Sequence, residues 1–187
     1  MTLAPHTIQR LTTVCDAHIT ALAEVLVDCV AGGASVSFMH PLSMDRATAF
    51  WRGVADDVAR GERALLVAVD PAGAIVGTVH LVLAQPENQP HRADLSKMLV
   101  HRRARRHGLG ELLMQAAEQL GRDCGKTLLV LDTASDAAER LYQRRGWQRC
   151  GVIPGYALWP EGGLCDAIFY FKNLLAAPSD QALVGVR

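Results

Sequence analysis

The sequence predicts an α/β (α+β) fold, a mixed and mostly antiparallel central sheet with helices on both faces. Three observations carry it. Strand-like and helix-like segments follow one another in the order β-α-α-β-β-β-α-β-α-β-β. The βαβ unit at 93–132 needs two parallel strands joined by a crossover helix. The hairpins around that unit need antiparallel pairs.

Each element has a local signature. Residues 7–11 suit a short first strand. From Ala17 to Ala31, Ile19, Leu22, Val25, Leu26 and Val30 share one helical face, and Gly32-Gly33 stops the helix. A second helix runs from Met44 to Arg60, with Ala47, Phe50, Trp51, Val54 and Val58 on its apolar face. Strands at 64–70 and 74–84 flank the turn Pro71-Ala72-Gly73 and make a hairpin. The polar run "QPENQPHR" is a loop, followed by a strand at 93–101 and a helix over 108–123. "TLLVLD", 127–132, is continuously apolar up to its last residue and predicts a strand buried on both faces. A helix over 135–145 can be capped by Ser135 and ends at Gly146. Strands at 147–153 and 167–171 complete a single domain over 1–175, and residues 176–187 read as a loose tail.

Composition narrows the function. The chain has 187 residues, 50% hydrophobic and 20% charged, with formal net charge zero and seven histidines. That is globular rather than disordered, and gives no general attraction to nucleic acid or an anionic membrane. No segment reaches the roughly 18 uncharged apolar residues of a membrane span, and the N-terminus lacks a signal-peptide pattern. The expectation is a cytoplasmic protein. Cysteines 15, 29, 124, 150 and 165 form no CxxC pair, so no metal site is expected and most should be reduced, buried small hydrophobes.

The local basic run "RARRHGLGELLMQ", 103–115, needs a local explanation. A helix start presents unpaired N–H groups and a positive dipole end. Gly108 and Gly110 let a ligand approach the backbone, and Arg105 and Arg106 add charge, so the loop reads as an anion site, most naturally for phosphate. A solvated basic turn over a surface helix is the alternative. GxxxxGK[ST] is absent, and "GLGELL" lacks the third glycine of a dinucleotide fingerprint.

Two motifs in order resemble the GCN5-related N-acetyltransferase superfamily. "SKMLVHRRARRHGLGELLMQAAE" carries [RQ]-x-x-G-x-[GA] as Arg105, Gly108 and Gly110. "SDAAERLYQRRGW" carries A-x-x-L-Y-x-x-x-G-[FW] as Ala138, Leu141, Tyr142, Gly146 and Trp147, one strand later. More narrowly, "LDTASDAAERLY" and "GWQRCGVIPGY" look like the tabtoxin-resistance type of acetyltransferase. The pattern departs in two places: Arg102 stands where a proline is usual, and Ser135 where an asparagine is frequent.

The resemblance implies an acyl-CoA N-acyltransferase fold, acetyl-CoA as co-substrate, and direct attack by an amine in a ternary complex. It implies that Met98, Leu99 and Val100 offer backbone groups to the pantetheine arm, and that a Met98 or Val100 N–H polarises the thioester. The pyrophosphate would lie on the segment Arg105, Arg106, His107, Gly108, Leu109 and Gly110, with Ser135 a further contact. Tyr142, one turn into its helix, is the implied general acid. Asp132, at the end of a strand where α/β sheets bind ligands, is the candidate base through a water, with a helix cap as its alternative. His80 and Asp94 are weaker candidates. Ser35, Phe38, Tyr156 and Trp159 in two Gly- and Pro-rich loops are candidate walls of the acceptor pocket. The acceptor expected is a small-molecule amine, amino-acid-like or a toxin. A peptide or protein acetyltransferase and a non-catalytic acyl-CoA sensor are the competing functions. Superfamily members are often dimers, which leaves a homodimer through the last strands open.

Overall fold

The computed structural model describes residues 6–175, the side chain of Asp136 excepted. The expected tail at 176–187 lies outside them. The chain runs β1 (Thr7–Leu11), α1 (Asp16–Ala31), α2 (Met44–Ala59), β2 (Arg63–Val69), β3 (Ile75–Val82), β4 (Arg92–Val100), a 3-10 turn at Arg102–Ala104, α3 (Leu109–Asp123), β5 (Leu128–Thr133), α4 (Asp136–Arg144), β6 (Gln148–Leu158) and β7 (Leu164–Asn173). The seven strands form one sheet in the order β1-β2-β3-β4-β5-β7-β6. Only β4 and β5 pair in parallel, as the crossover through α3 demands.

Strand alternation divides the core into two layers. On β2, Leu66 and Ala68 turn toward α3, where Leu113, Met114 and Ala117 meet them. Leu65 and Val67 turn the other way, toward Leu22 and Leu26 of α1 and Trp51 of α2. The helix starts are set locally: Ser43 Oγ accepts the Arg46 N–H at the head of α2, and Ser135 Oγ accepts the Ala138 N–H at the head of α4.

A bulge interrupts β4. Leu99 pairs with Thr78 and Ser96 with His80, so Lys97 and Met98 together oppose Val79. Lys97 takes a positive φ of 51°. A bulge bends its strand and increases its twist. Beyond it β4 leaves β5: their ladder holds only from Arg92–Leu128 to Asp94–Val130.

Three expectations need correction. β5 is not buried on both faces: Leu129 and Leu131 are buried, whereas Val130 is half-buried and Asp132 exposed, because no helix covers that face of the sheet here. β6 runs five residues past the predicted end, taking in Pro154, Gly155 and Tyr156. It is an edge strand, where proline loses no ladder bond, and an irregularity between Ile153 and Ala157 absorbs the extra residues. Of the five free cysteines only Cys29 and Cys165 are buried.

Candidate active site

The basic loop leads from β4 into α3. Gly108, at φ +75°, precedes the helix, and Arg106 is also left-handed at φ +67°. The backbone N–H groups from Arg106 to Glu111 have no acceptor among the described residues. A side chain at Gly108 would meet no atom within 4 Å, so the space over this cradle is open. Donors of this kind, at the positive end of a helix dipole, fit a pyrophosphate. Gly110 also serves the packing. A Cβ there would lie 3.2 Å from Leu141 and 3.9 Å from Met98, so its smallness seats α3 against α4.

Most of the arginines hold the loop in place. Arg105 Nε donates to the Val100 carbonyl at 3.1 Å, which stitches the loop to the end of β4. Arg103 reaches Asp70 at 3.5 Å. At Arg102 the backbone N–H and Nε each donate to Asp28 of α1 at 2.8 Å. Burial raises the Asp28 carboxyl, but these bonds outweigh it and hold the group below the usual carboxylate range. Arg106 and His107 remain exposed over the cradle, whereas Leu109 is buried beneath it.

Where β4 and β5 part, a cleft of about 320 Å³ opens, lined by Asp94, Leu95 and Ser96 on one side and Leu131, Asp132 and Phe169 on the other. Leu99 packs into the α1/α2 layer and Met98 against the α3 layer, so these side chains belong to the core. The Asp132 carboxylate has no hydrogen bond or salt bridge among the described residues. It does not cap α4, since Ser135 does that. Asp94 is already engaged by Arg92 and by Gln85 Nε2 at 3.1 Å. His80 is 1% exposed, accepts from Arg63 Nη1 at 3.0 Å, and lies edge-on to Trp51. Burial, with the nearby Arg63 and Lys97 cations, holds its pKa well below the imidazole range, so it stays neutral and shut away from the cleft.

Tyr142 lies in the last turn of α4, further along than the single turn expected. Its ring is buried against Trp147 and Tyr170, with centroids 5.9 and 5.7 Å away. Its hydroxyl donates to no protein group among the described residues. Burial first, then the negative charge of Asp132 and the neighbouring Tyr170, push the phenol well above its usual range.

The two candidate acceptor loops meet. Ser35 Oγ donates to the Leu158 carbonyl at 3.2 Å, and the His40 N–H to the Pro160 carbonyl at 2.8 Å. Tyr156 packs edge-on to Phe169, and Trp159 lies in the turn after β6, both exposed. Phe38 stands at 5.3 Å from Phe50. Sequence reasoning missed Asp28, Phe50, Lys97 and Phe169. Asp28 sits 74 residues from Arg102, and Lys97 owes its position to a bulge that no local residue pattern announces.

Residues 24–147 match the acetyltransferase (GNAT) family. The chain belongs to that family. It is thus an acetyl-CoA-dependent N-acetyltransferase, and the cradle and the parted strands are of the right kind to hold its co-substrate. A relative, described as an uncharacterised N-acetyltransferase in the hisH-hisA intergenic region of Azospirillum brasilense, is 31% identical over 172 residues, 86% of this chain and 96% of its own. In fold the acetyltransferase is similar to yncA of Salmonella typhimurium, solved with acetyl-CoA, at TM-score 0.75 and 20% identity, covering 96% of this chain and 100% of that one. It is also similar to a phosphinothricin acetyltransferase of Sinorhizobium meliloti in complex with acetyl-CoA, at TM-score 0.76 and 16% identity, covering 98% and 96%. Among the described residues no cluster of side chains could hold a metal ion, and no helix is long and apolar enough to cross a membrane.

Proposed function

We propose that this acetyltransferase acetylates the amine of a small molecule, in the manner of the tabtoxin-resistance type it resembles, by direct attack in a ternary complex. The observation that carries the reading is the cleft of about 320 Å³ where β4 and β5 part, a size for a compact ligand rather than a groove for a chain. The loop after α1 and the turn after β6 are fastened to each other by two hydrogen bonds, as the walls of a closed acceptor pocket would be.

Acetyl-CoA supplies an acetyl carbon activated as its thioester. The N–H groups of the Arg106–Glu111 cradle hold its pyrophosphate, with Arg106 and His107 adding charge and Ser135 at the rim. The backbone of Met98, Leu99 and Val100 lines the pantetheine arm, and a Met98 or Val100 N–H donates to the carbonyl oxygen as negative charge develops there. Asp132, whose carboxylate is unengaged, takes the proton of the acceptor ammonium through a water. Tyr142 hands its proton to the departing sulfur, and its raised pKa keeps that proton in place throughout the neutral range. Ser35, Phe38, Tyr156 and Trp159 wall the acceptor. A cytoplasmic setting and a homodimer paired through the β6 edge, where Val152 and Ile153 are exposed, belong to the same reading.

The test is a thiol-release assay with acetyl-CoA against amines, amino acids, dipeptides, aminoglycosides and β-lactam toxins. Turnover of free small amines is expected. Turnover confined to peptides, or none while acetyl-CoA binds normally, would contradict the proposal.

A further inference from the structure

We propose that Lys97 and Ser37 form a carboxylate subsite beside the acetyl-transfer cleft, so that the amine acetylated here is carried by an amino acid or a similar zwitterion. This rests on the small-molecule reading above and adds the acceptor's second charge to it.

The bulge in β4 turns Lys97 toward the helix α2 side of the sheet. Its ammonium lies 6.0 Å from the Phe38 ring centroid and 5.5 Å from that of Phe50. Its one hydrogen bond among the described residues goes to Ser37 Oγ at 3.3 Å, and no carboxylate of those residues lies within salt-bridge distance. Both partners hold strained backbone, Lys97 at φ 51° and Ser37 at φ 73°. Non-glycine residues in that region cluster at ligand sites, where the surroundings force them. A half-buried ammonium with one neutral partner has donors to spare, and aromatic faces attract the cation without satisfying its N–H groups. Burial accordingly lowers the lysine's pKa, and the negative charge of Asp132 only partly offsets this.

The charges form a pattern. Asp132 presents an unengaged carboxylate in the cleft, and Lys97, next in the chain to the cleft residue Ser96, holds an under-used cation among Ser37, Phe38 and Phe50 beside it. An acceptor with an ammonium and a carboxylate matches both. A simple amine matches only Asp132, and leaves the lysine as it stands.

Steady-state acetylation of the L-amino acids, each beside its own α-carboxamide, tests this in the wild-type enzyme and in Lys97→Met and Lys97→Arg. One charge-assisted contact corresponds to roughly ten- to hundredfold in kcat/KM. The wild type is expected to favour the free acid over its amide by about that factor. Lys97→Met should bring the ratio close to one through the KM of the acid, and Lys97→Arg should keep it above one. A purely structural lysine would move acid and amide together. Equal use of acid and amide by the wild type would overturn the inference while leaving acetylation of small amines standing, and that arm needs no variant to fold. Retention of the preference by Lys97→Met would overturn it as well. Failure to acetylate any compound in the set, with peptides accepted, would remove the small-molecule reading and this subsite together.

Discussion

Replacing Asp28 by alanine should weaken acetyl-CoA binding without touching the chemistry. Arg102 stands where the family pattern favours proline, and the loop then carries a backbone N–H that a proline would lack. Asp28 takes up that N–H at 2.8 Å and the side-chain Nε at 2.8 Å, with His101 Nδ1 a further 3.4 Å away. Hydrogen bonds to a charged group are worth about 1.5–3 kcal/mol when shielded. The Asp28 side chain is 12% exposed but that of Arg102 is 52% exposed, so the guanidinium bond counts for little and the backbone bond for most of that range. If the loss falls on the order of the cradle, acetyl-CoA affinity drops roughly ten- to hundredfold. Calorimetric titration of acetyl-CoA, with KM and kcat measured separately, reads it: KM rises and kcat holds. The double variant Asp28→Ala/Arg102→Pro should recover much of the affinity. Proline needs no acceptor there, and His101, at φ −51° and ψ 137°, already has the extended backbone a residue before proline requires. An unchanged affinity in the single variant, or no recovery in the double, would refute the tether.

Two further predictions concern packing and charge. Gly110→Ala should keep activity and thermal stability, since the Leu141 side chain can yield a few tenths of an ångström, whereas Gly110→Val should lower the melting temperature by overpacking worth about 1–3 kcal/mol. Glu118 is buried and accepts from Trp147 Nε1 at 3.0 Å and Arg145 Nη2 at 2.7 Å, with Lys172 Nζ at 3.3 Å. Burial raises its carboxyl, but the Arg145 and Trp147 bonds and the Lys172 charge outweigh that and hold it below the ordinary glutamate value of 4.5. A depressed folded-state pKa stabilises the fold above about pH 4.5 and loses that contribution as pH falls through the lower value. Denaturant titrations at pH 7 and pH 3 should therefore differ less in Glu118→Gln than in the wild type, and an equal difference would argue against the assignment.

The layering was legible in the sequence because local rules and packing agree. Ile19, Leu22, Val25 and Leu26 mark the buried face of α1, and the turns around Pro71-Ala72-Gly73 mark a hairpin that the sheet then uses. The basic loop at the head of α3 and the place of Tyr142 on α4 were legible because short motifs fix glycines and a tyrosine at set spacings. The rest depends on contacts distant in sequence. β5 reads as buried on both faces until the sheet shows that one of them is the cleft wall. That Gly110 also seats α3 against Leu141 shows only once α4 is packed beside it. Lys97 looks like a surface lysine in an apolar strand, and only the extra residue in the β4 ladder turns it toward Phe38 and Phe50.

Proton donation by Tyr142 is tested most directly by the Tyr142→Phe variant, assayed for acetyl transfer to whichever amine the wild type accepts and titrated with acetyl-CoA. The ring keeps its contacts with Trp147 and Tyr170, so only the proton is removed. The expected result is a fall in kcat of roughly 10²- to 10⁴-fold, the usual worth of a positioned general acid, with acetyl-CoA affinity unchanged. A kcat within a fewfold of wild type would contradict it.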